Sequence, residues 1–455
     1  MDNTETETRI SRAESIRALM PEGGMFAGHS WRVSPSPLPL DKKQVKQLDK
    51  LGKVLVSFYQ AANQIYRKSV DGKLPTWIAD WLDRGKPKEL VELQRSRAFR
   101  FGMPRVIRPD LLITEDGFAL TELDSVPGGI GLTAWFNQAY SKTGQEVLGG
   151  ADGMLDGFRS IFGDASQVDL VVSEEAATYR PEMEWIASRP GFENFQVRDE
   201  HFNDFEKGGA VYRFFELFDL PNIPSSKGLF DRALNGELEL TPPPKPIMEE
   251  KMWMALLWNP HLQEFWRQEL GGSHLETMQK ITPVSWLIDP APVPHHAAIP
   301  YLNISDWSQL KTFSQKQREL ILKISGFSEQ AWGARGVHLG SDLSSEEWSK
   351  AVDEAMSSAS RSPYILQRFH KPTTVPVEWH DPETQELRQM ASRVRLCPYY
   401  FVSGDFDRPS ISLGGALATC CPADKKIIHG MTDAVITCCQ QAARPPKPET
   451  HVQTP

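Results

Sequence analysis

The stretch that decides the fold is Arg108-Pro-Asp-Leu-Leu-Ile-Thr-Glu-Asp-Gly-Phe-Ala-Leu-Thr-Glu-Leu-Asp124. Its polar centre, Glu115-Asp116-Gly117, predicts a three-residue hairpin loop, because Gly117 readily takes the left-handed conformation that such loops need. A loop of this length pairs Thr114 with Phe118. Residues directly opposite in an antiparallel pair share a face. One face is therefore expected to carry Arg108, Asp110, Glu122 and Asp124, and the other, suited to a core, Leu111, Ile113, Ala119 and Leu123.

The charged face of this hairpin predicts a metal site. Three carboxylates on one patch repel each other unless positive charge lies among them. Arg108 neutralises one, and Mg²⁺, which prefers carboxylates together with phosphate oxygens and water, neutralises the rest. The alternative is a solvated edge whose charges prevent aggregation. The site depends on the loop, since a two-residue turn would move Glu122 and Asp124 to the face opposite Asp110.

A glycine-rich segment, Val126-Pro-Gly-Gly-Ile-Gly131, follows the hairpin and precedes a predicted helix. Glycines at this position allow backbone N–H groups to approach an anion at the helix N-terminus. An ordinary tight turn is the alternative, and on these residues alone it is the better interpretation.

A second glycine-containing loop follows the predicted strand Glu319-Leu-Ile-Leu-Lys323. Gly326, Gly333 and Gly336 make this loop able to close over phosphates, with Lys323 as a point charge. No Gly-Lys-Ser/Thr follows, so this is not a Walker loop. The alternative is a surface loop with a solvated lysine.

Further candidate residues are Lys251, Gln367, Arg393 and Arg395. Lys251 precedes an apolar helix and follows Glu250, so a salt bridge between the two is the default. Gln367 lies on a predicted strand, where a solvated edge is the default. Arg393 and Arg395 alternate with apolar residues and share one strand face, as in sites that bind a carboxylate or phosphate of protein or ligand.

The composition limits the class of protein. The chain has 455 residues, 40% hydrophobic and 24% charged, which fits two or three globular units. A net charge of −9 argues against a nucleic-acid partner. No apolar run is long enough to span a membrane, and no secretory signal is visible at the start, so we expect a cytoplasmic protein. The five cysteines, all in the last sixty residues, predict buried free thiols.

The pattern of apolar, Pro and Gly residues predicts five regions. Thr241–Pro246 is expected to be a linker because of its prolines. The regions are a disordered N-terminal segment (1–40), a helical region with the carboxylate hairpin (41–165), a small α/β unit (166–245), a lysine and glycine-loop region (246–440) and a disordered tail (441–455).

Together these motifs resemble the ATP-grasp superfamily, specifically its circularly permuted members similar to the synthetase part of glutathionylspermidine synthase. The family pattern has Arg-x-Asp, then Glu-x-Asn after a twelve-residue interval, ahead of the ATP-binding lysines. Arg108, Asp110 and Glu122 match it, whereas Asp124 replaces the usual Asn and adds a charge. Lys251 and Lys323 resemble the two ATP lysines. The resemblance implies an α+β, ATP-grasp-like fold of circularly permuted order, with a small pre-ATP-grasp-like α/β layer.

The resemblance also implies a function: an ATP-dependent carboxylate–amine ligase that forms an amide or peptide bond through an acylphosphate. In such enzymes catalysis is mostly positioning and charge neutralisation. Mg²⁺ would be held by Asp110, Glu122 and Asp124. ATP would be bound by Lys251, Lys323, Gly333, Gly336, Val337 and, at the adenine, Gln367. Arg108, with Arg393 or Arg395, would stabilise the transferring phosphoryl group or hold the acid.

The substrates implied are a small-molecule or peptide carboxylate and an amine, with neither nucleic acid nor membrane as partner. The sequence leaves the oligomeric state and the general base open. One alternative is a non-catalytic nucleotide-binding or scaffold protein on the same fold, since fold does not fix function. Another is a kinase-like phosphotransfer without ligation.

Overall fold

The structure, a computed structural model, describes residues 3–20, 22–28, 31–292, 297–331, 335–426, 428 and 433–442. Gly333 and residues 443–455 of the tail lie outside these ranges. The α-helices are α1 Asn3–Ala18, α2 Lys42–Val70, α3 Trp77–Asp83, α4 Lys88–Arg95, α5 Ile130–Lys142, α6 Gly153–Ser160, α7 Arg180–Ala187, α8 Ser226–Leu234, α9 Met252–Trp258, α10 Gln263–Ile281 and α11 Ser345–Ser357.

The strands form three sheets, and the fold is a mixed α+β one. They are β1 Leu38–Leu40, β2 Val106–Thr114, β3 Gly117–Asp124, β4 Val168–Val172, β5 Phe195–Arg198, β6 Ala210–Phe214, β7 Glu239–Thr241, β8 Ser285–Leu287, β9 Leu320–Ile324, β10 Val337–Leu339, β11 Tyr364–Arg368, β12 Val375–Asp381, β13 Glu386–Ser403, β14 Ser410–Pro422 and β15 Val435–Gln441.

The largest sheet has the order β1-β15-β14-β13-β2-β3, with β12 also paired to β13. It is antiparallel except for the parallel pair of β1 and β15. Its strands pack against α2, a 29-residue amphipathic helix that starts with a capping box of Asp41 and Gln44. The hairpin β2–β3 lies at one edge of this sheet, where its charged face is free to line a cavity.

The other two sheets flank the hairpin. Within the predicted small α/β unit (166–245), β4, β5, β6 and β7 form a parallel sheet of order β5-β4-β6-β7. Beyond it, β8, β9, β10 and β11 form an antiparallel sheet of order β10-β9-β11-β8, covered on one side by α11. Ser344 caps α11, because its side chain accepts from the Glu347 N–H.

Two boundaries predicted from composition are wrong. Residues 1–40 contain helix α1, in which Ala13 and Ile16 are fully buried, and Arg9 bonds Glu378 of β12. The spacing of Ala13 and Ile16 gives α1 a narrow apolar stripe that packs on the rest of the chain despite its polar composition. The tail predicted for 441–455 begins too early, because Gln441 is the last residue of β15.

The proline-rich stretch Thr241–Pro246, expected to be a linker, is instead a packed segment of the fold. It is buried from end to end. Lys245, only 1% exposed, donates to Asn63 Oδ1 (2.6 Å) and to the Gly102 carbonyl oxygen (3.0 Å). Prolines here are compatible with a packed segment that crosses the core, because they need no backbone hydrogen-bond acceptor.

All five cysteines are buried thiols outside any disulfide, as predicted. Among the helices that the structure describes, none combines the length and the apolar character that a membrane span requires.

Candidate functional site

The hairpin reaches the predicted pairing of its carboxylates by a different route. Its turn has two residues, because Thr114 pairs with Gly117, not Phe118. Phe118 therefore takes the core position that was expected for Ala119, opposite Ile113. A β-bulge at Thr121 then shifts the register by one residue.

The bulge places the charged residues as a three-residue loop would have done. Asp110 lies opposite Glu122, and Arg108 lies opposite Asp124. The hydroxyl of Thr121 donates to the Asp110 carbonyl oxygen at 3.0 Å, which fixes the bulge locally. The expected consequence of a two-residue turn, loss of the site, is thus cancelled within the same strand.

Arg108 is the centre of the hairpin cluster. Its Nε donates to Asp110 Oδ1 and its Nη2 to Asp124 Oδ2, each at 2.9 Å. Its Nη1 donates to the Gly128 carbonyl oxygen at 3.0 Å. Arg395 adds a second guanidinium, 3.4 Å from Asp110 Oδ2. Burial alone would raise the pKa of Asp110, but Arg108 and Arg395 hold that pKa below its ordinary value.

Lys323 and Lys251 both reach the bulged end of the hairpin. Lys323, on β9, donates to the Thr121 carbonyl oxygen and to Gln367 Oε1, both at 2.8 Å. Lys251, immediately before α9, lies 2.8 Å from Glu122 Oε1 and donates to the Ala331 carbonyl oxygen at 2.9 Å. Two lysines separated by 72 positions in the chain (251 and 323) therefore meet at one point.

The default partner expected for Lys251 is wrong. Glu250 pairs instead with Lys86 at 2.5 Å, and both side chains are almost completely buried. Ser325 also bonds Glu250. Gly326 follows with φ +69°, and a Cβ there would lie 1.7 Å from Glu250 Oε1, so any other residue would be strained and would displace the Glu250 carboxylate. The buried pair thus anchors the start of the loop after β9.

The two lysines differ in charge behaviour. Burial lowers the pKa of Lys323 to about 8, despite the nearby Glu122. Burial also acts on Lys251, but Glu122 raises its pKa above the ordinary value. Burial together with Glu122 and Asp110 raises the pKa of Asp124 to about 6, against the lowering effect of Arg108. The cluster therefore combines basic and acidic side chains that are largely buried.

These groups line a cavity of about 530 Å³. The hairpin supplies one wall, the loop and strands around β9 and β10 a second, and the parallel sheet a third. The wall residues predicted from sequence are Arg108, Asp110, Glu122, Asp124, Lys251, Lys323, Val337 and Arg395. This volume is in the range of small-molecule sites.

Three other predicted residues lie elsewhere. Gln367 is 1% exposed and does not line the cavity; besides accepting from Lys323 it donates to Ser285 Oγ at 3.0 Å. Arg393 shares a strand face with Arg395 but donates to the Lys425 carbonyl oxygen, away from the cavity wall. Gly336 is buried behind Val337, with its N–H donated to the Gln330 carbonyl oxygen. Their roles in binding stay predictions.

The glycine segment before α5 binds a carboxyl group of the protein itself, that of Glu182. Glu182, on α7, accepts from the Leu132 N–H at 3.2 Å at the start of α5. Burial raises the pKa of Glu182 to about 7, opposed by hydrogen bonds from the N–H groups of Leu132, Gly131 and Gly129. A Cβ at Gly131 would lie 2.8 Å from the Glu182 carbonyl oxygen. The helix N-terminus is therefore filled by a side chain.

Sequence reasoning missed an acidic wall of the same cavity. Glu216 and Asp219 follow β6, and Glu249 precedes Lys251; all three line the cavity. Burial and the neighbouring Glu249 raise the pKa of Glu216 well above its ordinary value. Asp219 is 4% exposed, and among the described residues nothing bonds its Oδ2. The signal was available, since the carboxyl ends of parallel strands are usual binding positions.

The predicted three-carboxylate metal site is not formed. In the part of the chain that the structure describes, no group of three His, Cys, Asp or Glu side chains is arranged to hold a metal ion. Asp110 is occupied by Arg108, Arg395 and the Cys397 thiol. Glu122 is the most open carboxylate, 39% exposed and paired through Oε1 alone among the described contacts. Glu122 and Asp124 fit Mg²⁺, which needs one or two carboxylates when phosphate supplies further oxygens.

Neither known family models nor characterised proteins match this sequence. The structure, in contrast, is similar to solved structures. A glutathione synthetase-like effector from Globodera pallida, in its apo form, has TM-score 0.55 and 12% identity, covering 97% of this chain and 98% of that chain. A putative gamma-glutamylcysteine synthetase from Methylobacillus flagellatus has 11% identity and TM-score 0.35, covering 83% and 85%; that score supports no argument.

These comparisons define a class of fold: this chain has a mixed α+β architecture like that of the glutathione synthetase-like effector. At 12% identity the likeness shows the fold alone. The circularly permuted order, and the closer resemblance to glutathionylspermidine synthase, stay predictions.

Proposed function

We propose that this chain is an ATP-dependent carboxylate–amine ligase that works through an acylphosphate. The observation that carries the proposal is the meeting of Lys251 and Lys323 at the hairpin cluster, in a cavity of about 530 Å³. Two lysines and two arginines beside exposed and half-buried carboxylates are a suitable site for a triphosphate with its counter-ion.

The cationic groups would bind the nucleotide and the acid. Lys251 and Lys323 would donate to phosphate oxygens in place of Glu122 and the Thr121 carbonyl oxygen. Arg395 and Arg108 would hold the carboxylate substrate in line with the terminal phosphate, so that their charge neutralises the transferring group. Residues 326–331 would exclude water, since Gly326, Phe327 and Ala331 line the cavity.

Glu122 and Asp124 would hold Mg²⁺ together with the phosphates. The ion supplies charge neutralisation and orientation of the phosphate oxygens. Asp110 keeps a different task in this proposal, because it is enclosed by Arg108 and Arg395 and so fixes both guanidinium groups.

The acidic wall would receive the amine. Glu216 and Glu249 lie close together, and burial and then Glu249 raise the pKa of Glu216 well above its ordinary value. An acidic pair of this kind attracts an ammonium group and can accept the proton that the amine must lose before attack. Arg213, 2.6 Å from Glu249, keeps the pair in position. Glu216 and Glu249 are therefore the candidates for the general base.

The first test is a thermal melt with and without Mg-ATP on the wild type, Lys251→Met and the control Lys68→Met, whose ion pair with Glu269 lies outside the cavity. Nucleotide at 100 times its dissociation constant stabilises by about 2.7 kcal/mol. We expect the stabilisation in the wild type and in the control, but not in Lys251→Met. Equal stabilisation of all three proteins would show that Mg-ATP does not bind at Lys251 and would contradict the proposed nucleotide site.

Catalysis is tested by positional isotope exchange in ATP labelled at the β,γ-bridging oxygen, with a panel of amino acids and short peptides as acids and no amine. Acid-dependent scrambling reports reversible acylphosphate formation. Nucleotide binding without scrambling for any acid would favour the non-catalytic alternative, which the enclosure of Asp110 by arginines supports. A stable phosphorylated acid that forms without amine would indicate the kinase-like alternative.

A further inference from the structure

A second cavity, of about 370 Å³, lies beside the edge strand β8 and shares no lining residue with the first. Helix α3, the end of α9 and β8 contribute to its walls. Its aromatic residues are Trp77, Trp81, Trp258, Trp286, Tyr301 and Trp307. Five of the 13 tryptophans of the chain therefore surround one small volume. The nucleotide proposal does not use this cavity.

The rings form a corner, not a flat stack. The centroids of Trp258 and Tyr301 are 6.4 Å apart, and the ring planes are 81° from each other. The faces of aromatic rings are electronegative, and perpendicular rings around one point attract a cation from several directions. Trp81 already interacts in this way, since the Arg84 guanidinium lies 3.5 Å from its ring centroid.

The charge of the cavity has one sign. Among the described residues that line it, Asp289 is the only carboxylate and none is Lys, Arg or His; Asp289 is half-buried. Its Oδ1 accepts from the Ala291 N–H at 2.9 Å, which holds the carboxylate in place. A cation enclosed by the rings would therefore meet a fixed negative charge without a competing lysine or arginine on the lining.

The hydrogen-bonding groups argue against a sugar. The indole N–H groups of Trp258 and Trp286 are donated to the carbonyl oxygens of Thr282 (3.2 Å) and Pro300 (2.7 Å). Asn259 uses its Oδ1 to accept from the His261 N–H. A sugar needs several donors and acceptors from the protein, whereas an alkylated ammonium ion needs ring faces and a counter-charge.

Tyr301 is held in an unusual position. Its φ is +65°, in the left-handed region that is unfavourable for a large side chain, and the side chain is 64% exposed. Strain of this kind, about 1–3 kcal/mol, clusters at ligand clamps. An exposed aromatic ring held under strain at the mouth of an aromatic cavity is suited to close over a ligand.

We propose that this second cavity binds an alkylated ammonium cation, with Trp258 and Tyr301 supplying ring faces and Asp289 the counter-charge. The ligand class is a small quaternary or tertiary ammonium compound. The proposal does not depend on the ligase function, because the two cavities have separate linings.

The test uses the full chain, with choline and tetramethylammonium as probes, followed by calorimetry and tryptophan emission. The neutral isostere 3,3-dimethylbutan-1-ol has the shape of choline without its charge, and glucose tests the sugar alternative. We expect saturable binding of both cations and much weaker binding of the isostere and of glucose. Mg-ATP is expected not to compete.

Two variants localise the site. Asp289→Asn keeps the hydrogen-bond acceptor for Ala291 but removes the charge, and is expected to weaken choline binding about tenfold. Tyr301→Gly relieves the backbone and removes a ring, and is expected to weaken binding about threefold to fivefold. Phe101→Ala, which removes an exposed ring (56%) elsewhere, should have no effect.

The proposal fails if neither cation saturates the protein, or if the isostere binds as tightly as choline. It also fails if glucose is the tighter ligand, if Mg-ATP displaces choline, or if Asp289→Asn leaves choline binding unchanged. Circular dichroism of each variant confirms folding, so that a lost signal is not an unfolded protein.

Discussion

Nucleotide affinity should depend on pH through Lys323. This lysine is 5% exposed, and burial lowers its pKa to about 8, whereas Glu122 raises the pKa of Lys251. Lys323 must be protonated to attract phosphate oxygens. We therefore expect the affinity for Mg-ATP to fall as pH rises from 7 to 9, while Lys251 stays charged throughout.

The size of the effect follows from the pKa. With a value of about 8, Lys323 is about 90% protonated at pH 7 and about 10% at pH 9, so the dissociation constant should rise up to about ninefold. The pH dependence of the folding stability has to be considered separately from that of nucleotide binding. The unfolded lysine, with an ordinary pKa of 10.5, binds more protons than the folded one between about pH 8 and 10.5, so stability without nucleotide rises with pH there.

The assay is titration calorimetry with Mg-ATP at pH 7, 8 and 9 and constant ionic strength, on the wild type, Lys323→Met and Lys251→Met. Lys323→Met should bind weakly and lose the pH dependence, and Lys251→Met should bind weakly but keep it. A wild-type pH dependence that persists unchanged in Lys323→Met would refute the reasoning.

Three further outcomes concern stability. Gly326→Ala should lower the free energy of unfolding in urea by more than about 2 kcal/mol, because its Cβ would meet Glu250. The control Gly271→Ala, at φ +70° but in open space, should lower it by only about 1 kcal/mol. Equal losses for the two variants would contradict the contact between the Cβ and Glu250. Lys86→Met should cost about 3–5 kcal/mol, because it leaves the buried Glu250 without its ion-pair partner. Lys88→Met, from an exposed pair with Glu92, should cost little, and an equally small loss for Lys86→Met would contradict the role given to the buried pair. Glu182→Gln should be more stable than the wild type at pH 8 but not at pH 4. A carboxyl whose pKa rises from 4.5 to about 7 on folding stabilises the folded state below about pH 4.5, and this contribution is lost as the pH rises to about 7. Urea unfolding at the two pH values checks this, and no difference would exclude a buried charge on Glu182.

Local periodicity was enough to predict the elements around the site. The strands β2 and β3 and the strand with Lys323 are confirmed. The turn length was not predictable, because Glu115-Asp116-Gly117 suits either a two-residue or a three-residue connection. The compensating bulge at Thr121 has no local signal, since Lys323 and the carboxylates that favour it come from other parts of the chain.

Non-local contacts explain the remaining errors. A salt bridge with Lys251 was expected for Glu250, because the two are neighbours in sequence. Glu250 pairs instead with Lys86, a buried lysine from a distant part of the chain. Likewise, the glycines before α5 predicted a site for an anion at the helix N-terminus. They did not predict that the side chain of Glu182, from α7, occupies this site. Two residues of the acidic wall, Glu216 and Asp219, follow β6 of the parallel sheet, and Glu249 comes from the segment before α9. The position of this wall in the cavity depends on how the sheets pack.

The bulge at Thr121 also bears on how relatives of this chain should be sought. A three-residue loop with a regular ladder, a two-residue loop with a bulge, and a two-residue loop with Thr121 deleted all bring Asp110 opposite Glu122. The same surface thus arises from an eleven-residue or a twelve-residue interval between the two acidic motifs. A search profile that lets this interval vary by one residue therefore follows the geometry, whereas one of fixed spacing rejects chains that share it.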